Sequence, residues 1–322
     1  MSDPQGPAGQ AAAPPLISSR AVDLGLVIWM LALTAIWGLN SVSIKVVTRG
    51  IAPVMAASLR GGLALVCITL YAWWRGESLR FNRAQMLQGA LAGLIIGAEG
   101  VALYHGARFT NGGHISIFIN TAPFFVAGGA HFLLPGEKMH GVRWAGLVLA
   151  FAGVVTLFSD QLFIQRSGFW RGDLLVILAA SFWACSTLYI RGFLGSRFSA
   201  LRLMFLRILV STPLLLAASL LSEPNPFPAA GLAEWGSVLF QGVVVVFFSY
   251  MVWVVLLQRY PATALQPFVF LGPFWGVGAG ATLLGEPLTA MLLAGLVLVA
   301  GGLFLVNRPT PQAGQPRTAE PS

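Results

Sequence analysis

Ten runs of about twenty apolar residues, separated by short polar breaks, dictate what this chain can become. They cover residues 22–47, 53–74, 85–108, 113–134, 141–159, 172–190, 201–221, 235–257, 262–283 and 288–306. A helix rises about 1.5 Å per residue, so each run is long enough, or nearly so, to cross a hydrocarbon core about 30 Å thick. In that environment the helix satisfies its own backbone donors and acceptors, which an open strand cannot do. The composition agrees, with 57% hydrophobic residues, 9% charged residues and a mean hydropathy of +0.78; a soluble domain would carry roughly 25% charge. The expected fold is therefore an all-α integral membrane protein of ten transmembrane helices. Most connections are a few residues long, which leaves no space for a soluble domain.

The unit is also written twice. Ala145–Gly153 (AGLVLAFAG) nearly recurs as Ala294–Gly302 (AGLVLVAGG), and each follows a Gly-Glu turn, Gly136-Glu137 and Gly285-Glu286. Trp37–Lys45 (WGLNSVSIK) is echoed by Trp183–Arg191 (WACSTLYIR), Arg60 by Arg207, and Pro123-Phe124 by Pro273-Phe274. The expected division is a disordered N-terminal arm over 1–21, a first five-helix repeat over 22–160, a second over 172–306, and a disordered tail over 307–322. Both ends are too polar and proline-rich to order by burial. Five is odd, so the second repeat enters the membrane inverted relative to the first. Inverted repeats of this kind place a binding site near the midplane of secondary transporters.

Loop charges set the expected orientation. Twelve of the 19 Lys and Arg residues fall on the side of the N-terminus, Arg75, Arg80, Arg83, Arg191 and Arg197 among them, against Arg49, Arg108, Arg166 and Arg171 on the other. Under the positive-inside rule both termini are cytoplasmic. The first run exceeds the h-region of a cleaved signal peptide and is expected to stay as a membrane helix.

The net charge of +8 is spread over short loops without a basic run, so no nucleic-acid partner is expected. Cys67 and Cys185 fall inside apolar runs and read as packing residues. The four histidines never fall at i, i+4, so no metal site and no cofactor are expected. The expected partners are a small-molecule substrate and the lipid bilayer; the oligomeric state is not written in the sequence.

Few polar residues interrupt the apolar runs. Glu99 is the one acid deep inside one, and a buried carboxylate must take up a proton, face a cavity or find a cation such as Arg60. It is the candidate for proton coupling, with a structural ion pair as the alternative. Helices four and nine carry Pro123 and Pro273, with Pro267 a turn earlier, which either kink the packing or mark a polar cavity. Asn120 and Gln266 lie beside them and are candidates for substrate binding or interhelical hydrogen bonds. Trp37 and Trp183, at matched positions and followed by Asn40 and Ser41 or Ser186 and Thr187, suit an aromatic wall for an amphipathic solute, or an ordinary packing role. Together these place a central cavity at the two prolines, with helices one, three, six and eight contributing. Glu137 and Glu286, in turns just before helices, read as structural. His105 does not share the face of Glu99, and His114 and His131 read as loop-end and packing residues. Gly89, Gly93 and Gly97, like Gly272, Gly276 and Gly280, are spaced for close helix contact.

The segments WGLNSVSIK, Pro53 to Arg60, NTAPFF before LLPGEKM, GDLLVILAASFWACSTLYIR and LGPFWGVGAGATLLGEPL resemble the two EamA domains of the drug/metabolite transporter superfamily, in order over all ten helices. The resemblance implies two inverted five-helix repeats and export of amino acids or other small metabolites across a bacterial inner membrane by alternating access. Trp37, Gly38, Lys45, Arg60, Pro123, Glu137, Trp183, Arg207, Pro273 and Glu286 fall on the family's motif positions; Glu99 does not. Export of cationic drugs is the alternative within the superfamily. A membrane-embedded enzyme fits poorly, because there is no Gly-x-Ser-x-Gly, no HExxH and no paired intramembrane aspartates.

Overall fold

The computed structural model describes residues 22–162, 169–285 and 290–308, and among these every regular element is helical. The termini over 1–21 and 309–322, and Glu286, lie outside the described residues. The elements are α1 (Leu24–Val47), α2 (Pro53–Trp74), α3 (Arg83–Gly106), α4 (Gly112–Ile119), α5 (Ala122–Leu133), α6 (Gly141–Leu157), α7 (Ser159–Leu162), α8 (Phe169–Tyr189), α9 (Ala200–Ser222), α10 (Leu232–Phe240), α11 (Tyr250–Arg259), α12 (Ala262–Leu265), α13 (Gly272–Leu284) and α14 (Ala290–Asn307). Nine apolar helical spans among the described residues are long enough to cross a membrane, and α6 is a shorter apolar helix. The last residue of the final run, expected at 306, is Asn307, which closes α14.

Helix starts follow from local chemistry. The Asp23 carboxylate accepts from Leu26 N at 2.7 Å to open α1, and Asn82 and Gln85 form a reciprocal capping box at α3. Pro53 begins α2, where its missing N–H costs nothing.

Several spans expected to be continuous are interrupted. The run at 113–134 is two helices, because Pro123 cannot donate back to the preceding turn and the chain tightens, with Thr121 N on Phe118 O at 3.1 Å. Its counterpart breaks in the same manner: Gln266–Leu271 winds as a 3₁₀ segment and α13 then begins. Pro123 and Pro273 are each the second residue of a new helix. Two π-helical segments, Ile190–Leu194 after α8 and Gln241–Ser249 between α10 and α11, had no sequence signal that local spacing revealed.

The duplicated stretches meet face to face. α6 and α14 cross so closely that a Cβ on Gly146 would lie 2.8 Å from Gly302 O, and one on Gly302 would lie 2.5 Å from Gly146 O. The same reciprocal contact joins Gly153 and Gly295, at 2.5 and 2.6 Å. Because lipid is as apolar as leucine, such backbone-to-backbone approach is what holds membrane helices together. Gly89, Gly93 and Gly97 likewise seat α3 on Leu206, Val210 and Leu214 of α9, whereas Gly272 has open space beside it.

Two buried carboxylates pin helix ends. Glu137 accepts from Arg191 Nε at 2.7 Å and from Thr263 N at 3.2 Å. Glu223, at the end of α9, accepts from Val54 N and Met55 N at 2.9 Å each, and from Ser219 Oγ at 2.6 Å. Each joins residues from both halves of the chain.

Candidate functional site

A cavity of about 70 Å³ opens between α2, α3, α8, α9 and the π-helical segment before α11. Arg60, Glu99, Tyr104, Thr212 and Tyr250 supply its polar lining, and Trp183 its largest apolar face. Helices built of apolar residues present these groups because each sits on the inward stripe. Ala57, Arg60 and Gly61 share one face of α2, and Ile96, Glu99 and Gly100 share one face of α3. The small residues Gly61 and Gly100 keep the space open; a Cβ on Gly61 would lie in contact with Thr212 Oγ1.

Charge is concentrated there. Glu99 forms no hydrogen bond and no ion pair among the described residues, and the charges acting on it are those of Arg60 and Arg207. Arg60 Nη1 reaches Gln241 Oε1 at 3.4 Å, and its guanidinium stands 5.9 Å from the Tyr104 ring. Gln241 in turn donates to Ser43 Oγ at 3.1 Å, linking α1 to the same network. Arg207, buried one turn before the cavity residue Ser211 on α9, donates from Nη2 to Ser186 Oγ at 3.2 Å.

The matched tryptophans of the two halves also meet. Trp37 stands edge-on to Trp183 with ring centroids 6.4 Å apart, and both contact Tyr250, at 6.3 and 6.1 Å. Trp253 completes the cluster, 5.5 Å from Trp37. Trp37 Nε1 donates to Ser249 Oγ at 3.0 Å, so its polar edge is held while its ring backs the cavity wall.

The candidate residues thus divide. Glu99, Arg60 and Trp183 line the cavity and Trp37 and Arg207 stand behind its walls. Asn40, Asn120, Gln266, Pro123 and Pro273 do not line it. Helices three, six and eight of the expected cavity contribute as read, but helices two and seven take the places given to four and nine, because the proline breaks pack against other elements. Asn40 Oδ1, Asn120 Oδ1 and both amide atoms of Gln266 are buried without a hydrogen-bond partner among the described residues. Glu137 is buried in its turn and paired with Arg191, and Lys45 lies in the last turn of α1. His114, read as a loop-end residue, is buried and holds Asp173 at 3.0 Å.

Tyr104, Thr212, Gln241 and Tyr250 were not singled out from the sequence. Tyrosine and glutamine within apolar runs were the available signal, since a polar tip at membrane depth needs a partner or a cavity. Among the described residues no group of three or more His, Cys, Asp and Glu is placed to hold a metal.

The sequence profile of the EamA-like transporter family matches residues 24–159 and 170–308. A relative from Bacillus subtilis (strain 168), the uncharacterized transporter YoaV, is 25% identical over 86% of this chain and 94% of its own. The probable amino-acid metabolite efflux pumps of Escherichia coli (strain K12) and Salmonella typhimurium are 28% and 29% identical, each over 85% of this chain and 92% of their own. A crystal structure 17% identical in sequence superposes with a TM-score of 0.75, covering 88% of this chain and 96% of that one, and so shares the fold.

Proposed function

The chain belongs to the EamA-like transporter family of the drug/metabolite transporter superfamily, and from that premise we propose that it exports small organic metabolites, amino acids or related compounds, by alternating access. It is a multi-pass membrane transporter and not an enzyme. The observation that carries the proposal is the cavity: a carboxylate, a guanidinium and two phenols among apolar helices are costly at membrane depth unless they serve a solute path. Its size favours metabolites over drugs, because 70 Å³ is well below the roughly 300–1,000 Å³ of drug-sized pockets. The efflux pumps of similar sequence support the same direction.

The proposed architecture has ten membrane helices in two inverted repeats, 22–160 and 172–306, with α6 as the tenth span. At 17 residues α6 is about 25 Å long, close to the thickness of a bilayer core. The doubled family match and the reciprocal α6–α14 glycine contacts support the repeat. Both termini are assigned to the cytoplasm of a cell with the protein in its inner membrane. In that topology Glu137 and Glu223 lie at opposite faces, so alternating access loosens one carboxylate tie while the other holds. Trp37 and Trp183 form the aromatic wall, and Asn40, Asn120 and Gln266 remain binding candidates for a second conformation, their buried amides being short of partners.

Glu99 is proposed to couple transport to protons, since it reaches the cavity with no fixed partner. The test is comparative growth of deletion and overexpression strains across amino acids, other metabolites and cationic drugs, followed by flux of the best solute in reconstituted vesicles. Resistance to amino acids or metabolites is expected; resistance confined to cationic drugs would favour the multidrug alternative.

A further inference from the structure

Buried arginines in this fold come in two kinds. Arg191 is satisfied: Nε meets Glu137 at 2.7 Å and Nη1 meets Leu257 O at 3.1 Å. Arg207 is not, and Arg60 stands half-buried on the cavity wall. Arg207 is 5% exposed, yet among the described residues Nη1 finds only Met204 Sδ at 3.5 Å, Nη2 finds Ser186 Oγ, and Nε has no acceptor. Arg60 has Gln241 Oε1 at 3.4 Å and Tyr104 as its partners, and neither is a carboxylate. Neither forms an ion pair with a carboxylate among the described residues. A guanidinium is a planar fork of N–H donors that matches a carboxylate in two parallel hydrogen bonds, and leaving such donors unmatched at low dielectric is expensive.

Resting on the transporter reading above, we propose that Arg60 on the cavity wall, together with the unmatched Arg207 one turn behind that wall, receives a carboxylate, so that the transported solute is a small carboxylate with an apolar body lying against Trp183 and Tyr250. The charges of both arginines act on Glu99 from different helices, α2 and α9, Arg60 and Glu99 line the same cavity, and four residues, a rise of about 6 Å, separate Arg207 from the cavity residue Ser211. With Glu99 ionised the group carries one net positive charge. An amine without a carboxylate meets repulsion there, because two cations outweigh the single acid and the surroundings screen little. An ammonium on the same solute falls to Glu99, in competition with a proton. The apolar wall accounts for the body, and Trp37, hydrogen-bonded to Ser249, backs that wall.

The test uses three probes that share the leucine skeleton: leucine itself, 4-methylpentanoate without the amine, and 3-methylbutylamine without the carboxylate. Binding to the purified full chain in lipid nanodiscs is read by tryptophan fluorescence, since Trp183 lines the site and Trp37 and Trp253 pack against it. The expected result is that leucine and 4-methylpentanoate bind at least about tenfold more tightly than the amine. Arg60→Lys and Arg207→Lys, which keep charge but lose the fork, should each weaken the two carboxylates about tenfold, the loss of one charged hydrogen bond. Amine binding equal to that of 4-methylpentanoate would overturn the proposal, and so would failure of all three probes to bind. Solute flux in vesicles of the same preparation separates the two readings: if any organic solute moves while the amine wins, transport stands and the carboxylate receptor does not.

Discussion

Arg191 Nε donates to Glu137 Oε1 at 2.7 Å with both side chains about 95% buried, their exposures being 5% and 4%. The pair fastens the end of α8 to the turn before α6, and the same carboxylate holds Thr263 at the start of α12. Glu137→Gln leaves the Arg191 charge buried and unpaired, which costs about 3–5 kcal/mol. Thermal unfolding in detergent should show that loss, and the double variant Glu137→Gln with Arg191→Met should regain most of it. An unchanged melting temperature in the single variant would contradict the account.

The α6–α14 crossing is the second place where a small change has a large expected effect. Gly302→Ala puts a methyl group 2.5 Å from Gly146 O, so the helices must part, at about 1–3 kcal/mol. Gly128→Ala is the control, because nothing lies within 4 Å of the added carbon. A melting series in which the two substitutions behave alike would argue against close packing of the duplicated stretches.

Orientation is checked with single cysteines at Ser78 and Ala229, both exposed, in a chain whose Cys67 and Cys185 are replaced by alanine. Membrane-impermeant thiol reagents should label Ser78→Cys from the cytoplasmic side and Ala229→Cys from outside. Labelling of both from one side would remove the inverted repeat.

Much of this fold is legible in the sequence because bilayer burial is a composition rule: apolar length alone marks the spans, and the duplicated glycines at 146, 153, 295 and 302 mark the closest contact. The cavity is less legible. Glu99 stood out because an acid among apolar residues is conspicuous, and Arg60 and Trp183 because they recur in the second half as Arg207 and in the first as Trp37. Tyr104, Gln241 and Tyr250 did not, since which helical faces converge depends on tertiary packing that no local spacing encodes. Pro123 and Pro273 do interrupt their helices, but neither lines the cavity described above.

Glu99→Gln keeps the shape of the side chain and removes its titration. In vesicles carrying an imposed pH gradient, the wild-type protein should accumulate its solute and the variant should not, while exchange of labelled for unlabelled solute persists. Transport with unaltered pH dependence would make Glu99 structural and place coupling elsewhere.

Transport by this protein requires that solute pass through the cavity lined by Arg60, Glu99, Trp183 and Tyr250. Thr212 lies in that wall, and Thr212→Cys in the cysteine-free chain gives a thiol at the site with little change of volume. Counterflow of the solute identified by the growth screen is measured before and after modification with a sulfonate-bearing thiosulfonate reagent. Modification should lower flux at least about tenfold, and excess solute present during the reaction should protect against it. Full flux through completely modified protein would mean that the path lies elsewhere.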